Sequence, residues 1–191
     1  MKSRGERISC LTVYDYSFSY ILDQAGIEIL LVGDSLGMVI QGHETTLPVS
    51  MCNMLYHTQC VSRGCNSALV IADMPFGSYQ GSPQSAYENA ARLVGEGGAH
   101  MVKIEGGVVM AETVTFLVDR GIPVCGHIGL TPQSVNQLGG FRVQGREEST
   151  AEELRRDARN LEEAGASLLI LEAIPAQLAK GITDSVSIPT V

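Results

Sequence analysis

Short apolar runs rich in Val, Ile and Leu recur along the chain, and each ends in a polar residue. In the clearest copy, Gly26 leads through the apolar run 29–32 to Asp34. A glycine in the left-handed conformation ends a helix, and a short continuous apolar run is typical of a strand buried on both faces of a parallel sheet. Other copies lead from Gly64 to Asp73, Gly98 to Lys103 and Glu105, Gly121 to His127, and Gly165 to Glu172, and a first copy without the glycine covers Ile8 to Asp15.

The polar segments between these runs carry signals for helix starts. Thr150 and Glu153 have the spacing of a capping box and precede apolar residues at helical spacing. Ser82 followed by Pro83 is typical of an N-cap with a first-turn proline, and the segment 131–132 repeats that pair as Thr-Pro. Helices that alternate with buried strands predict an α/β fold.

Two α/β architectures are compatible with this pattern. Six strands are recognisable, and Ile188–Val191 has the pattern of a seventh strand that has only begun. A (β/α)8 barrel normally needs about 250 residues, so length alone favours a doubly wound open sheet. No glycine-rich phosphate loop follows any strand, which weakens the case for the nucleotide-binding open sheets.

Composition narrows the class of protein. The 191 residues include 13 Lys and Arg against 21 Asp and Glu, a net charge of −8, so nucleic-acid binding is disfavoured. No apolar run reaches the roughly 18 residues of a membrane helix, and the N-terminal residues do not resemble a signal peptide. We therefore expect one cytoplasmic domain over residues 1–191 with no membrane partner. Scattered and odd in number, the five cysteines predict reduced, buried thiols.

Seven polar residues stand where the predicted strands end, which is where parallel α/β folds carry their sites. Each has an ordinary structural explanation, since an acidic residue after a strand is usually a helix cap or turn former and a lone histidine is usually hydrogen-bonded. The seven residues are Asp34, Ser35, Asp73, Lys103, Glu105, His127 and Glu172.

Taken together, these residues are harder to explain by structure alone. Lys103 and Glu105 are two apart, so in a strand they share one face while their neighbours point towards the helices. Charges directed into a barrel are costly without partners. The carboxylates Asp34, Asp73 and Glu105 end separate strands, and an oxygen-only ligand set favours Mg²⁺ over Zn²⁺. The pattern leaves a metal-assisted active site and ordinary structural roles equally open.

An ordered series of motifs resembles the ketopantoate hydroxymethyltransferase (3-methyl-2-oxobutanoate hydroxymethyltransferase) family, and the similarity runs from about Ile8 to Val191. The motifs are LVGDSLGM (31–38), QGH (41–43), TLPV (46–49), ADMPF (72–76), MVKIEGG (101–107), VCGHIGLTPQS (124–134), VQGR (143–146) and LEAIP (171–175).

The resemblance implies a (β/α)8 TIM barrel of the phosphoenolpyruvate mutase/isocitrate lyase type. It also implies a large homo-oligomer. By position, Glu172 matches the family's catalytic base. The Mg²⁺ ligands match Asp34, Asp73 and Glu105, and the substrate-binding residues match Asp34, Ser35, Asp73, Lys103 and His127.

The implied reaction transfers a hydroxymethyl group from 5,10-methylenetetrahydrofolate to 3-methyl-2-oxobutanoate and gives ketopantoate for pantothenate synthesis. The oxo acid chelates Mg²⁺, which stabilises an enolate when Glu172 takes the proton from C3. For this role we expect burial to raise the pKa of Glu172. Lys103 offsets the negative charge of the substrate.

The chain ends where the seventh strand begins, so we expect a catalytic barrel domain that is incomplete at its C-terminus. Two other functions stay open. One is a Mg²⁺-dependent C–C lyase acting on oxo acids with the same barrel. The other is an inactive fragment that persists as a subunit of an assembly.

Overall fold

Six parallel strands form one sheet in which each strand pairs with the next along the chain. A computed structural model describes residues 1–191, and the order of the strands in the sheet is the same as their order along the chain, β1 to β6. This sequential order is that of a barrel wall, whereas a doubly wound sheet reverses direction at a switch point. The strands are β1 Cys10–Thr12, β2 Ile29–Val32, β3 Leu69–Asp73, β4 Met101–Glu105, β5 Val124–Gly129 and β6 Leu168–Glu172.

The two faces of this sheet differ as the wall of a barrel requires. The main apolar core joins one face to the helices, and it contains Val102 and Ile104, as predicted for the neighbours of Lys103. The other face carries a small apolar cluster made only of strand residues, namely Ile29, Ile71, Met101, Cys125 and Leu168. Helices therefore cover one face alone, and the α/β barrel prediction is confirmed as a six-stranded half-barrel.

The predicted seventh strand does begin beside β6. Thr190 forms a parallel bridge with Leu169, and the N–H of Leu171 donates to the carbonyl of Val191 over 2.8 Å. This pairing extends the sheet in the same sequential order.

Eight α-helices connect the strands, and three short 3-10 turns at residues 2–4, 108–110 and 132–134 supplement them. The helices are α1 Tyr16–Gln24, α2 Leu36–Val39, α3 Met51–Gly64, α4 Pro83–Gly95, α5 Ala111–Val118, α6 Val135–Leu138, α7 Glu148–Glu163 and α8 Ala176–Ser185.

The predicted helix starts have mixed outcomes. Ser82 caps α4 as predicted, since its hydroxyl accepts the N–H of Ser85 over 3.1 Å. The Thr-Pro pair at 131–132 opens a 3-10 turn rather than an α-helix. The capping box at Thr150 is wrong, because α7 already begins at Glu148 and the Thr150 hydroxyl donates to the Glu147 carbonyl within the first turn.

Four of the five glycines that precede strands have the predicted left-handed backbone, namely Gly26, Gly98, Gly121 and Gly165. Gly64 does not, because it is the last residue of α3 and packs against α1. A Cβ atom on Gly64 would lie 2.5 Å from the carbonyl oxygen of Tyr16. The absence of a side chain at Gly64 therefore allows α1 and α3 to pack closely against each other beside β2 and β3.

A buried carboxylate fixes the chain just before β3. Asp23 accepts the N–H groups of Ser67 and Ala68 over 2.8 and 2.9 Å. These hydrogen bonds to the ionised form hold the pKa of Asp23 well below its usual range. The strand that carries Asp73 thus starts from a defined position.

All five cysteines are free thiols. Burial was predicted for them, but only Cys125 is fully buried and Cys52 is exposed. None of the helices is both long and apolar enough to cross a membrane.

Replacing Gly64 tests the close contact between α1 and α3. Gly64→Ala is expected to lower the free energy of unfolding by about 1–3 kcal/mol, because the new methyl group meets backbone that cannot move freely. Gly95→Ala is the matched control, since a Cβ there has no neighbour within 4 Å and should stabilise α4 by up to about 1 kcal/mol. Urea unfolding measures both, and equal effects would contradict the packing argument.

Candidate active site

The seven polar residues predicted from the strand ends all line one cavity of about 300 Å³. It opens at the carboxyl ends of the strands, and Met38, Thr46 and Phe141 are among the other residues that line it. The structure therefore brings together every residue that the sequence placed at a strand end: Asp34, Ser35, Asp73, Lys103, Glu105, His127 and Glu172.

Strand register explains why these side chains meet. Asp73 lies directly opposite Lys103, and Glu105 lies directly opposite His127. Because successive residues of a strand alternate between faces, Lys103 and Glu105 both point away from the helices. Glu172 follows one strand further along, opposite Gly129.

Lys103 is the cation of the cluster. Its Nζ atom lies 3.0 Å from Asp73 Oδ1 and 3.1 Å from His127 Nδ1, and only 5% of the residue is exposed. Burial lowers the pKa of the Lys103 ammonium, but the charges of Asp73, Glu105 and Asp34 outweigh it and raise the pKa above its usual range. Lys103 therefore stays charged although it is buried.

Each of the three carboxylates has one oxygen held by the protein. The N–H of Asp34 donates to Asp73 Oδ2 over 3.1 Å. Gln133 holds the other two, since its side chain donates to Asp34 Oδ2 over 2.8 Å and its backbone N–H donates to Glu105 Oε2 over 2.9 Å. The second oxygens of Asp73 and Glu105 are buried and contact only cationic groups, since Asp73 Oδ1 lies 3.0 Å from Lys103 Nζ and Glu105 Oε1 lies 3.4 Å from His127 Nδ1.

Negative charge is in excess at this site. Burial, reinforced by the neighbouring Asp73, raises the pKa of Asp34 to about 7. Burial also raises the pKa of Asp73, against the opposing effect of Lys103. Three carboxylates and one ammonium form a set that a further cation would stabilise.

The donor set fits a hard divalent cation that keeps other ligands. No group of three His, Cys, Asp or Glu side chains is arranged so that it could hold a metal ion by itself. Mg²⁺ usually takes one or two carboxylates and completes its octahedron with water and substrate oxygens. The carboxylate oxygens of Asp34, Asp73 and Glu105 are ligands of that kind.

Comparison with known proteins identifies the family. The family model described as ketopantoate hydroxymethyltransferase matches residues 1–191. The chain belongs to the ketopantoate hydroxymethyltransferase family. It is 60% identical over 191 residues to the 3-methyl-2-oxobutanoate hydroxymethyltransferase of Thiobacillus denitrificans and 59% identical to that of Nitrosospira multiformis. All of this chain is covered in both cases, and it spans 72% of each relative.

Solved structures share the fold of this chain. A phosphonopyruvate hydrolase in complex with oxalate and Mg²⁺ matches with a TM-score of 0.71 and 13% identity over 98% of this chain and 67% of its own. A 2,3-dimethylmalate lyase of the PEP mutase/isocitrate lyase superfamily matches with a TM-score of 0.70 and 18% identity over 99% and 65%. At these identities the lyase and hydrolase share an architecture, whereas the transferase family matches in sequence throughout.

The pKa of Glu172 shifts in the direction opposite to the prediction. Its side chain is 41% exposed, and Oε2 lies 3.1 Å from His127 Nε2. Partial burial raises the pKa of Glu172, but His127 outweighs it and the pKa is lowered. The predicted rise is therefore wrong. His127 itself has a raised pKa, because Glu105 and Glu172 outweigh burial and Lys103.

The backbone beside Glu172 is closely defined. Ala173 has a φ of 48°, in the left-handed region that non-glycine residues seldom adopt. A Cβ on Gly129 would lie 2.2 Å from the carbonyl oxygen of Glu172, and that oxygen accepts the N–H of Leu130 over 2.8 Å. The strand end therefore holds Glu172 in one position at the cavity mouth.

The sequence analysis did not predict three further polar residues of the site, Gln133, Tyr79 and Tyr14. Gln133 and Tyr79 are both buried, and the Tyr79 hydroxyl donates to Gln133 Oε1 over 2.7 Å. Neither lies at the end of a strand, and their partners are far away in sequence. Tyr14 is a third addition, since its hydroxyl lies 2.9 Å from Ser35 Oγ.

Removing the buried cation tests the charge balance. Lys103→Met, unfolded in urea with EDTA, is expected to lose about 3–5 kcal/mol of unfolding free energy, because three buried carboxylates lose their counter-charge. Lys180→Met is the matched control, since that lysine pairs with Asp184 on the exposed face of α8 and should change stability by less than about 0.5 kcal/mol. A Lys103→Met protein as stable as the control would contradict the charge balance described here.

Proposed function

We propose that this chain transfers a hydroxymethyl group from 5,10-methylenetetrahydrofolate to 3-methyl-2-oxobutanoate and forms ketopantoate for pantothenate synthesis. Family membership over the whole chain supports the reaction. The observation that carries it to these residues is the convergence of seven strand-end side chains on one cavity. We further propose that residues 1–191 act as one catalytic domain in a cytoplasmic homo-oligomer.

Asp34, Asp73 and Glu105 are the proposed holders of Mg²⁺, directly or through its bound water. When bound, Mg²⁺ supplies a Lewis acid that withdraws negative charge from the keto and carboxylate oxygens of the substrate. The support for this role is chemical, since three carboxylates share one cavity and each has only one oxygen that accepts a hydrogen bond from a backbone N–H or an amide.

Glu172 is the proposed base that takes the proton from C3 of the oxo acid. Its lowered pKa keeps it ionised at neutral pH, so it is ready to accept a proton. A carboxylate is a weak base towards carbon, and the substrate must therefore be made more acidic at the same site. His127, 3.1 Å away, keeps the carboxylate directed across the cavity.

The remaining residues bind the substrate. Lys103 is charged and buried, so it attracts an anionic oxo acid and offsets the charge that develops on the enolate. Asp34 and Asp73 would bind the substrate by way of the cation that they hold, and the Ser35 hydroxyl is held in place by Tyr14. A cavity of about 300 Å³ suits a small substrate of this kind. Phe141, which also lines the cavity, is exposed to solvent.

Deuterium exchange tests the first half of the reaction without folate. In D₂O with Mg²⁺, the C3 proton signal of 3-methyl-2-oxobutanoate should disappear in the presence of the wild-type chain, as followed by proton NMR. EDTA should abolish the exchange. Glu172→Gln should slow it by at least about 100-fold, because a positioned base typically contributes 10²–10⁴-fold.

Glu163→Gln is the matched control for this experiment. Glu163 is an exposed residue at the end of α7 and does not line the cavity, so its exchange rate should equal that of the wild type. Exchange that survives in Glu172→Gln would remove the assignment of the base. If folded wild-type protein gave no exchange with Mg²⁺, the proposed function of this chain would be wrong.

A further inference from the structure

Gln133 links two carboxylates that come from different strands. It lies in the 3-10 turn after β5, only 5% of it is exposed, and it contacts Asp34 after β2 and Glu105 at the end of β4. No other residue donates hydrogen bonds to two of the three proposed metal ligands. One side chain and its own backbone N–H therefore set the relative position of both.

The side-chain amide of Gln133 uses its full hydrogen-bonding capacity. Its Nε2 atom donates to Asp34 Oδ2 and to the carbonyl of Met74, each over 2.8 Å. Its Oε1 atom accepts from the Tyr79 hydroxyl over 2.7 Å and from Gln80 Nε2 over 3.1 Å. Two donors and two acceptor positions are thereby all occupied.

Only one orientation of this amide satisfies its partners. Tyr79 accepts the backbone N–H of Glu105 over 3.0 Å, which leaves its own proton for Gln133 Oε1. Reversing the amide would place its oxygen against the carboxylate of Asp34 and the carbonyl of Met74. Tyr79 thus fixes which end of the amide faces Asp34.

We propose that Gln133 is the positioning residue of the divalent-cation site, an inference that rests on the metal ligands of the proposed function. By holding Asp34 Oδ2 and Glu105 Oε2, it turns the second oxygen of each carboxylate towards the cavity. Glu105 Oε1 is buried, and its contact is the longer one of 3.4 Å to His127 Nδ1, whereas Oε2 is held by Gln133 over 2.9 Å. Residues that orient metal ligands in this way commonly change metal affinity 10- to 100-fold when they are replaced.

Gln133→Met tests the role of the amide, because methionine has a similar length and donates no hydrogen bond. The probe is Mn²⁺, whose free aqueous form is measured by electron paramagnetic resonance during titration of the protein. The dissociation constant of Mn²⁺ should rise 10- to 100-fold. Gln59→Met is the matched control, since the Gln59 amide donates its hydrogen bond at the surface, to the carbonyl of Glu96. Loss of that hydrogen bond should leave the dissociation constant of Mn²⁺ within about twofold of the wild-type value.

Tyr79→Phe provides a second variant that leaves Gln133 in place. Losing the hydroxyl frees the amide to turn, so the dissociation constant should rise by a smaller factor, about 3- to 10-fold, than in Gln133→Met. If Gln133→Met does not fold, Tyr79→Phe decides the matter, and a wild-type dissociation constant in that variant would overturn the inference.

A purely structural role of Gln133 predicts a different result. It would lower the melting temperature of Gln133→Met and leave the Mn²⁺ dissociation constant unchanged, which would overturn the inference and leave the proposed function intact. A positioning role predicts weak binding together with deuterium exchange that recovers at saturating Mn²⁺. If the wild-type chain itself bound no Mn²⁺, the proposed metal site and this inference would both be wrong.

Discussion

Three carboxylates buried within one cavity repel one another, and the site depends on the cations that stand among them. Lys103 supplies the buried ammonium, 3.0 Å from Asp73, and His127, whose pKa is raised, contacts Glu105. One ammonium does not balance three carboxylates, and burial together with the charge of Asp73 raises the pKa of Asp34 to about 7. A divalent ion would supply the positive charge that the cluster lacks. The same excess of negative charge that strains the free site therefore provides its affinity for a metal.

The fold creates this cluster through strand register. Because consecutive strands are parallel neighbours in the sheet, their residues pair at the same height, so Asp73 lies opposite Lys103 and Glu105 lies opposite His127. The main apolar core lies between the sheet and the helices. The opposite face of the sheet, which forms the inside of the half-barrel, carries a small cluster of apolar strand residues in addition to the charged residues. Most of the polar side chains at the carboxyl ends of the strands thus belong to the strands themselves, whereas Asp34 and Ser35 lie in the turn after β2.

The sequence predicted the strands and the strand-end residues because both depend on local pattern. Gly165 followed by an apolar run and Glu172 is enough to place a strand and its end. Long-range geometry was not predictable in this way. Gly64 has the same pattern as Gly165, but its contact with α1 is 48 positions away at Tyr16, and no periodicity encodes it. The pKa of Glu172 likewise depends on His127 from a neighbouring strand, whose effect exceeds that of partial burial.

The central claim is that Asp34, Asp73 and Glu105 together bind a divalent cation at the cavity. Anomalous diffraction from crystals grown with Mn²⁺ and 3-methyl-2-oxobutanoate tests it most directly. The account predicts one strong peak in the cavity, about 2.0–2.2 Å from carboxylate oxygens of this set or one water molecule removed from them. A cavity without a peak at saturating Mn²⁺, or a peak held by other residues, would contradict the account.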